Sequence, residues 1–204
     1  MIETERPSSA NNPQKLVGRA AITPCSMACL LGLFVVTALV LRWEGRRWWC
    51  ACGHPTIFSN DAWGSHNSQH FLDPYSLTHV EHGVLLFAVM LYFFPALSAA
   101  KRIVWATGIE CLWEIWENSA FVIDRYRTAT AAIGYQGDSL VNAAGDILAC
   151  IAGYLLARWL GLWRSIAFLV VTEILLLFWI RDNLSLNILM LAWPIEAISK
   201  WQAG

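Results

Sequence analysis

The chain has 204 residues, of which 57% are hydrophobic and only 14% charged, and its mean hydropathy is +0.47. Water-soluble domains carry about 25% charged residues, so a soluble fold would leave too much apolar surface uncovered and lipid is the better solvent. A net charge of −1 gives no basic footprint for nucleic acid, and there is no repeat, low-complexity tract or glycine-rich nucleotide motif.

Residues 1–20, with Pro7, Ser8, Ser9, Asn11, Asn12 and Pro13, read as a disordered polar tail. Residues 21–204 read as one membrane domain. The run Ala21–Leu41 is uncharged and long enough to span about 30 Å of hydrocarbon. Its length, and Arg42-Trp43-Glu44 in place of a small-residue cleavage site, favour an anchor over a signal peptide.

A polar loop rich in tryptophan and histidine is expected over 42–76. A second span is expected over 77–100, ended by Lys101-Arg102, and a third, unusually polar, over 103–123. A second polar loop (124–138) leads to a fourth span at 139–157. Arg158, Gly161 and Arg164 mark a turn before the fifth span, 165–180. The last apolar run, 184–198, contains Pro194 and is short for a crossing, so it is expected at the interface or re-entrant rather than as a sixth span. The fold class is all-α: a polytopic transmembrane helix bundle of about five spans.

Orientation follows the lysines and arginines of alternate loops. Arg6, Lys15, Arg19, Lys101, Arg102, Arg158 and Arg164 lie on one side. Arg42, Arg46, Arg47, Arg125, Arg127 and Arg181 lie on the other. The excess is one residue, and it points to a cytoplasmic N-terminus.

Charges inside spans cost about 2.5–3.5 kcal/mol each on insertion scales and so mark positions with a reason. His79 and His82 are one helical turn apart, with Glu81 on another face. Glu110, Glu114 and Glu117 share one stripe of the third span. Asp138, Asn142, Gly145, Asp146, Ala149 and Gly153 share one of the fourth, where the small residues invite close helix approach. Consecutive spans run antiparallel, so His79, His82, Glu117 and Asp138 fall near one membrane surface, with Glu114, Asn142, Glu110 and Asp146 deeper. The two polar loops lie on that side. They bring Cys50, Cys52, His54, His66 and His70, and then Arg125 and Arg127.

Simpler roles exist for the same residues. Asp138 suits a helix N-cap, the arginines suit lipid phosphates, and the glutamates suit interhelical hydrogen bonds. The six cysteines, Cys25, Cys29, Cys50, Cys52, Cys111 and Cys150, suit small packing residues or structural thiols. They do not form the paired CxxC motifs of a zinc ribbon, nor the CxxCH of covalent haem.

Several segments together resemble a known bacterial family. They are Cys50-Ala51-Cys52-Gly53, Asn67-Ser68-Gln69-His70 with Asp73, Tyr75, Ser76 and His79, and His82-Gly83. Further on come Trp116-Glu117-Asn118-Ser119, Asp124-Arg125-Tyr126-Arg127, Gly137-Asp138-Ser139 with Asn142 and Asp146, and the tail from Arg181-Asp182-Asn183 to Pro194-Ile195. Over roughly residues 42–201 the chain is similar to uncharacterised protein family three-one-four, multi-pass membrane proteins built from a domain of unknown function. The resemblance implies a bacterial cell membrane and brings no activity or site residues.

Three functions fit the pattern. The first expectation is a membrane scaffold or assembly factor, binding a membrane protein partner or a lipid-like ligand, whose polar core between spans 2–4 fixes packing. The second is a metal-dependent membrane-embedded hydrolase acting on a lipid or amphiphile. Its divalent metal would sit on His79, His82 and Asp138, with Glu114 and Glu117 catalytic and Arg125 and Arg127 holding an anionic headgroup. The third is a transporter or proton path along Glu110, Glu114 and Asp146.

Overall fold

The computed structural model describes residues 23–204, so the expected polar tail over residues 1–20 lies outside the described residues. Five long helices form the bundle: α1 (Pro24–Trp43), α2 (Ser76–Phe93), α3 (Ala99–Glu117), α5 (Leu140–Leu160) and α6 (Leu162–Ile180). A short helix, α4 (Ala120–Ala129), follows α3, and α7 (Leu184–Ala192) and α8 (Glu196–Ala203) close the chain. No β-strand occurs among the described residues; Phe58 and Leu72 form one isolated bridge in the first loop. Helices of 18–21 residues are about 27–32 Å long, the thickness of a bilayer core. Four of the five are long and apolar enough to cross a membrane. The exception is α3, whose Glu110 and Glu114 are enclosed by its neighbours.

Side-chain caps set most helix starts. Thr23, Ser98, Ser119, Ser139 and Asn183 each accept a first-turn N–H of the helix that follows. Three expected boundaries shift for local reasons. The second span ends at Phe93 rather than Ala100, because Pro95 disfavours helical backbone at Phe94. Ser98 then starts α3, so Lys101 and Arg102 lie in its first turn. The third span stops at Glu117 rather than Ile123, and Ser119 caps α4, so part of the expected polar loop is helical. The 184–198 segment forms no sixth long helix. It breaks at Trp193-Pro194-Ile195 into two helices of nine and eight residues.

α5 is the central helix, with ten buried residues from Leu140 to Ala157. Its partner α2 approaches to backbone contact. A Cβ on Gly83 would lie 1.9 Å from the Cys150 carbonyl oxygen, and one on Gly153 would lie 2.0 Å from that of Val80. The small-residue stripe of the fourth span thus does what its spacing suggests. α1 and α6 are peripheral; only 22% of each apolar window is buried. Met90, Ile103, Ala106 and Tyr154 seal one end of the bundle with apolar packing. The polar residues gather toward the other end.

That end is roofed by the loop between α1 and α2. Trp63 Nε1 donates to the Ile180 carbonyl, and Phe58 stacks on Trp179. The Gln69 amide donates to the Gly137 carbonyl at 2.7 Å. The first N–H groups of α5, which a helix leaves unpaired, are taken by this loop. Ser139 N–H donates to Ser68, Leu140 N–H to Arg47 and Val141 N–H to Trp48.

Candidate functional site

The three polar stripes meet. His79 and His82 both reach Glu110: their Nδ1 atoms lie 2.6 and 3.1 Å from Glu110 Oε1. His79 Nδ1 is also 3.3 Å from Glu114 Oε1, and its Nε2 lies 3.9 Å from Asp146 Oδ2. Two sets of atoms therefore lie within 4.8 Å of one another: His79, His82 and Glu110, and His79, Glu114 and Asp146. Ser76 Oγ donates to Asp146 Oδ1 at 2.8 Å and fixes that carboxylate. Glu114 has no such support. It is fully buried and neither of its oxygens receives a hydrogen bond. Asn142, equally buried on α5, has neither amide atom satisfied.

A cavity of about 40 Å³ opens above His79 and Asp146. Its size suits an ion with waters or a few-atom polar group, well below the 300–1,000 Å³ of sites that engulf drug-sized ligands. His79, His82, Glu117, Asp138, Asp146 and Asp182 line it, together with tyrosines and apolar residues. Among the described residues, no lysine or arginine does. Glu117 is oriented by Trp113 Nε1 at 2.6 Å and the Tyr126 hydroxyl at 3.0 Å, and that hydroxyl is shared with Asn187. Asp182 accepts from the Tyr75 hydroxyl, and burial pushes its carboxyl up to about 7. Asp73 takes the backbone N–H groups of Ser68, Tyr75 and Ser76. Burial, with the Asp138 charge nearby, pushes it up to about 6.

The expected site residues are thus largely brought together, with different partners. The carboxylate meeting the histidine pair is Glu110. Asp138 sits in the cavity wall, held by the Asn118 amide and the Tyr135 hydroxyl. Burial raises its carboxyl, and those two hydrogen bonds oppose the rise. Asp138 is not the cap of α5; Ser139 accepts the Asn142 N–H instead. Arg125 and Arg127 do not face the cavity. Arg125 donates to the Leu191 and Ala192 carbonyls at the end of α7, and Arg127 to the Tyr135 carbonyl. Glu81, which the spacing placed on another face, is fully buried and takes the Thr172 hydroxyl of α6. Glu173 accepts the Ser185 N–H and helps fix the α6–α7 turn.

Sequence reasoning gave no site role to Asp73, Ser76, Asn118, Tyr135 or Asp182. Each stands in a motif that looks like loop or cap punctuation, and its role appears only once distant segments meet.

The bundle and its enclosed acids define a polytopic helical membrane protein with a polar, histidine-containing core. The family described as Protein of unknown function (DUF2585) matches residues 41–204. The UPF0314 protein of Paracoccus denitrificans is 43% identical over 172 residues, which cover 84% of this chain and 89% of that one. That of Rhizobium meliloti is 41% identical over 178 residues, 87% of this chain and 90% of the relative. That of Sphingopyxis alaskensis is 40% identical over 172 residues, 84% and 92%. The chain belongs to this uncharacterised UPF0314 family. No solved structure matches it.

Proposed function

We propose that this protein is a membrane-embedded hydrolase that works through a divalent cation held in its polar core and acts on the polar end of a membrane amphiphile. The observation that carries the reading is Glu114: enclosed, without a hydrogen bond at either oxygen, 3.3 Å from His79 Nδ1 and within 4.8 Å of an Asp146 oxygen. A polar core built only to fix helix packing closes its hydrogen bonds, because each open one costs about 1–3 kcal/mol. This core leaves Glu114 and Asn142 open, which favours a bound cation over the pure scaffold reading.

His79, Glu114 and Asp146 would hold the ion. Glu110, bound to His79 Nδ1, fixes the ring so that Nε2 faces Asp146. Nε2 lies 3.9 Å from Asp146 Oδ2, close enough for one ion to take both as ligands. When bound, such an ion would supply a water acidic enough to act as a nucleophile near neutral pH. Glu117 faces the same cavity and would serve as the general base there. Tyr126 donates its hydroxyl to Glu117 and Tyr135 donates its own to Asp138 in the same cavity wall. The narrow cavity admits a headgroup fragment while the chains stay in lipid. Four helices long and apolar enough to cross a bilayer support a membrane location, which this reading takes to be the cell (inner) membrane. With the N-terminus cytoplasmic, the cavity and both loops face the outer side.

The test is metal analysis of detergent-extracted protein beside Glu114→Gln and Asp146→Asn, with turnover of total membrane lipid measured before and after chelation. The expected result is one core ion lost in both variants while helicity persists, with turnover lost alongside. Unchanged metal content in both folded variants would sink the proposal. Loss of stability together with loss of a co-purifying membrane protein, without turnover, would return the protein to the scaffold class. A proton flux in proteoliposomes abolished by Glu114→Gln would make it a transporter.

A further inference from the structure

A second cluster of ligand-type side chains lies outside the core, in the loop between α1 and α2. Cys50 Sγ is 3.3 Å from His66 Nδ1, and Cys52 Sγ is 3.9 Å from His70 Nε2. The two imidazoles approach to 3.4 Å between His70 Nε2 and His66 Nδ1. One atom from each of the four lies within 4.8 Å of all the others. Two sulfurs and two imidazole nitrogens are the donor set of tetrahedral structural zinc sites. Three residues separate His66 from His70 and thirteen separate Cys52 from His66, spacings that small zinc folds use. The cysteines are closer in sequence than the usual CxxC, which is why spacing alone did not reveal the site.

The surroundings support the same assignment. His70 Nδ1 lies 2.8 Å from the Thr56 carbonyl oxygen. Donation there fixes the tautomer and leaves the Nε2 lone pair facing Cys52, as ligating histidines require. Backbone N–H groups point at both sulfurs, Cys52 N to Cys50 Sγ at 3.5 Å and His54 N to Cys52 Sγ at 3.4 Å. That is the environment a thiolate ligand needs rather than a packed thiol. Cys50 and His70 are buried, so the cluster is an organised knot in a loop with little regular structure.

We propose that Cys50, Cys52, His66 and His70 bind one Zn²⁺ ion that clips the two ends of this loop together. The clip has a purpose visible in the fold. Arg47 and Trp48, just before Cys50, take N–H groups of Leu140 and Val141, and Ser68, between the two histidines, takes that of Ser139. Joining the two segments therefore holds the start of α5, and with it Asn142 and Asp146, in place. The assignment does not rest on the core centre.

The test is zinc analysis and cobalt substitution of the full chain in detergent. Wild-type protein is expected to retain zinc through purification. Cys50→Ser and His70→Ala lose one equivalent, whereas the core variant Glu114→Gln keeps it. Cobalt-loaded protein shows a thiolate-to-cobalt charge-transfer band that Cys52→Ser weakens and the double variant Cys50→Ser, Cys52→Ser abolishes. His66→Cys, which replaces one ligand by another, retains the metal, so a folding failure of the serine variants does not decide the matter. Wild-type protein that binds no zinc, a cobalt spectrum without the thiolate band, or a Cys50–Cys52 disulfide in the purified chain would each overturn the assignment.

Discussion

Asn118 and Asp138 hold each other reciprocally: the Asn118 amide donates to Asp138 Oδ2 at 2.6 Å, and Asp138 N–H donates to Asn118 Oδ1 at 2.6 Å. This pair ties the end of α3 to the start of α5 and shapes one wall of the cavity. Asn118→Ala would leave a buried carboxylate and a buried N–H without those partners. The expected cost is about 3 kcal/mol, read as a lower midpoint in thermal unfolding of detergent-solubilised protein. A variant as stable as wild type would show that the pair is dispensable.

The α2–α5 contact makes a sharper stability prediction. Gly83→Ala places a methyl group 1.9 Å from the Cys150 carbonyl oxygen, which is backbone and cannot swing aside. A loss of at least about 3 kcal/mol is expected. A methyl group added at Gly32 on α1 would meet nothing within 4 Å, so Gly32→Ala should be neutral or stabilising by up to about 1 kcal/mol. Equal effects of the two substitutions would contradict the packing described.

The two histidines are not equivalent. His79 is buried and touches Glu110, Glu114 and Asp146, whereas His82 is half-buried and meets Glu110 alone among the acids. His79→Asn is expected to cost about 3–5 kcal/mol by stranding buried carboxylates, and His82→Asn clearly less. Chemical unfolding of the two variants side by side reads the difference, and reversal of that order would refute it.

Stability should also fall with rising pH between about 4 and 7. Asp182 and Asp73 lie outside the long helices, and burial raises their carboxyl groups to about 7 and about 6. The folded state then holds protons that the unfolded chain has already released. Unfolding is therefore hardest below the unfolded carboxylate range, and this contribution is lost as pH climbs through the folded values. The slope is up to about 1.4 kcal/mol per pH unit for each group. Asp182→Asn should flatten the upper part of the curve; a curve unchanged by that substitution would exclude Asp182 as its source.

The long helices were legible because their signal is local: uninterrupted apolar runs with basic or proline ends. Pro95 is such a signal, masked by the apolar run around it. The break at Asn118 was legible only in part: Ser119 offers a local cap, but the Asp138 carboxylate that holds Asn118 comes from twenty residues on. The core stripes were legible from helical periodicity, which also set Glu81 apart. Periodicity could not say which carboxylate meets which imidazole, because that depends on helix rotation and depth. So Glu110, rather than Asp138, turns out to be the partner of His79 and His82. The arginines misled because a charge near a membrane surface suggests phosphate, whereas Arg125 is spent on the carbonyls that end α7.

The backbone contact at Gly83 and Gly153 also locks two helices of the bundle to each other. Two helices whose main chains touch cannot slide or rotate past one another without collision, so α2 and α5 form a stator. His79 and His82 on one of these helices and Asn142 and Asp146 on the other therefore keep a constant spacing, whatever the remaining helices do.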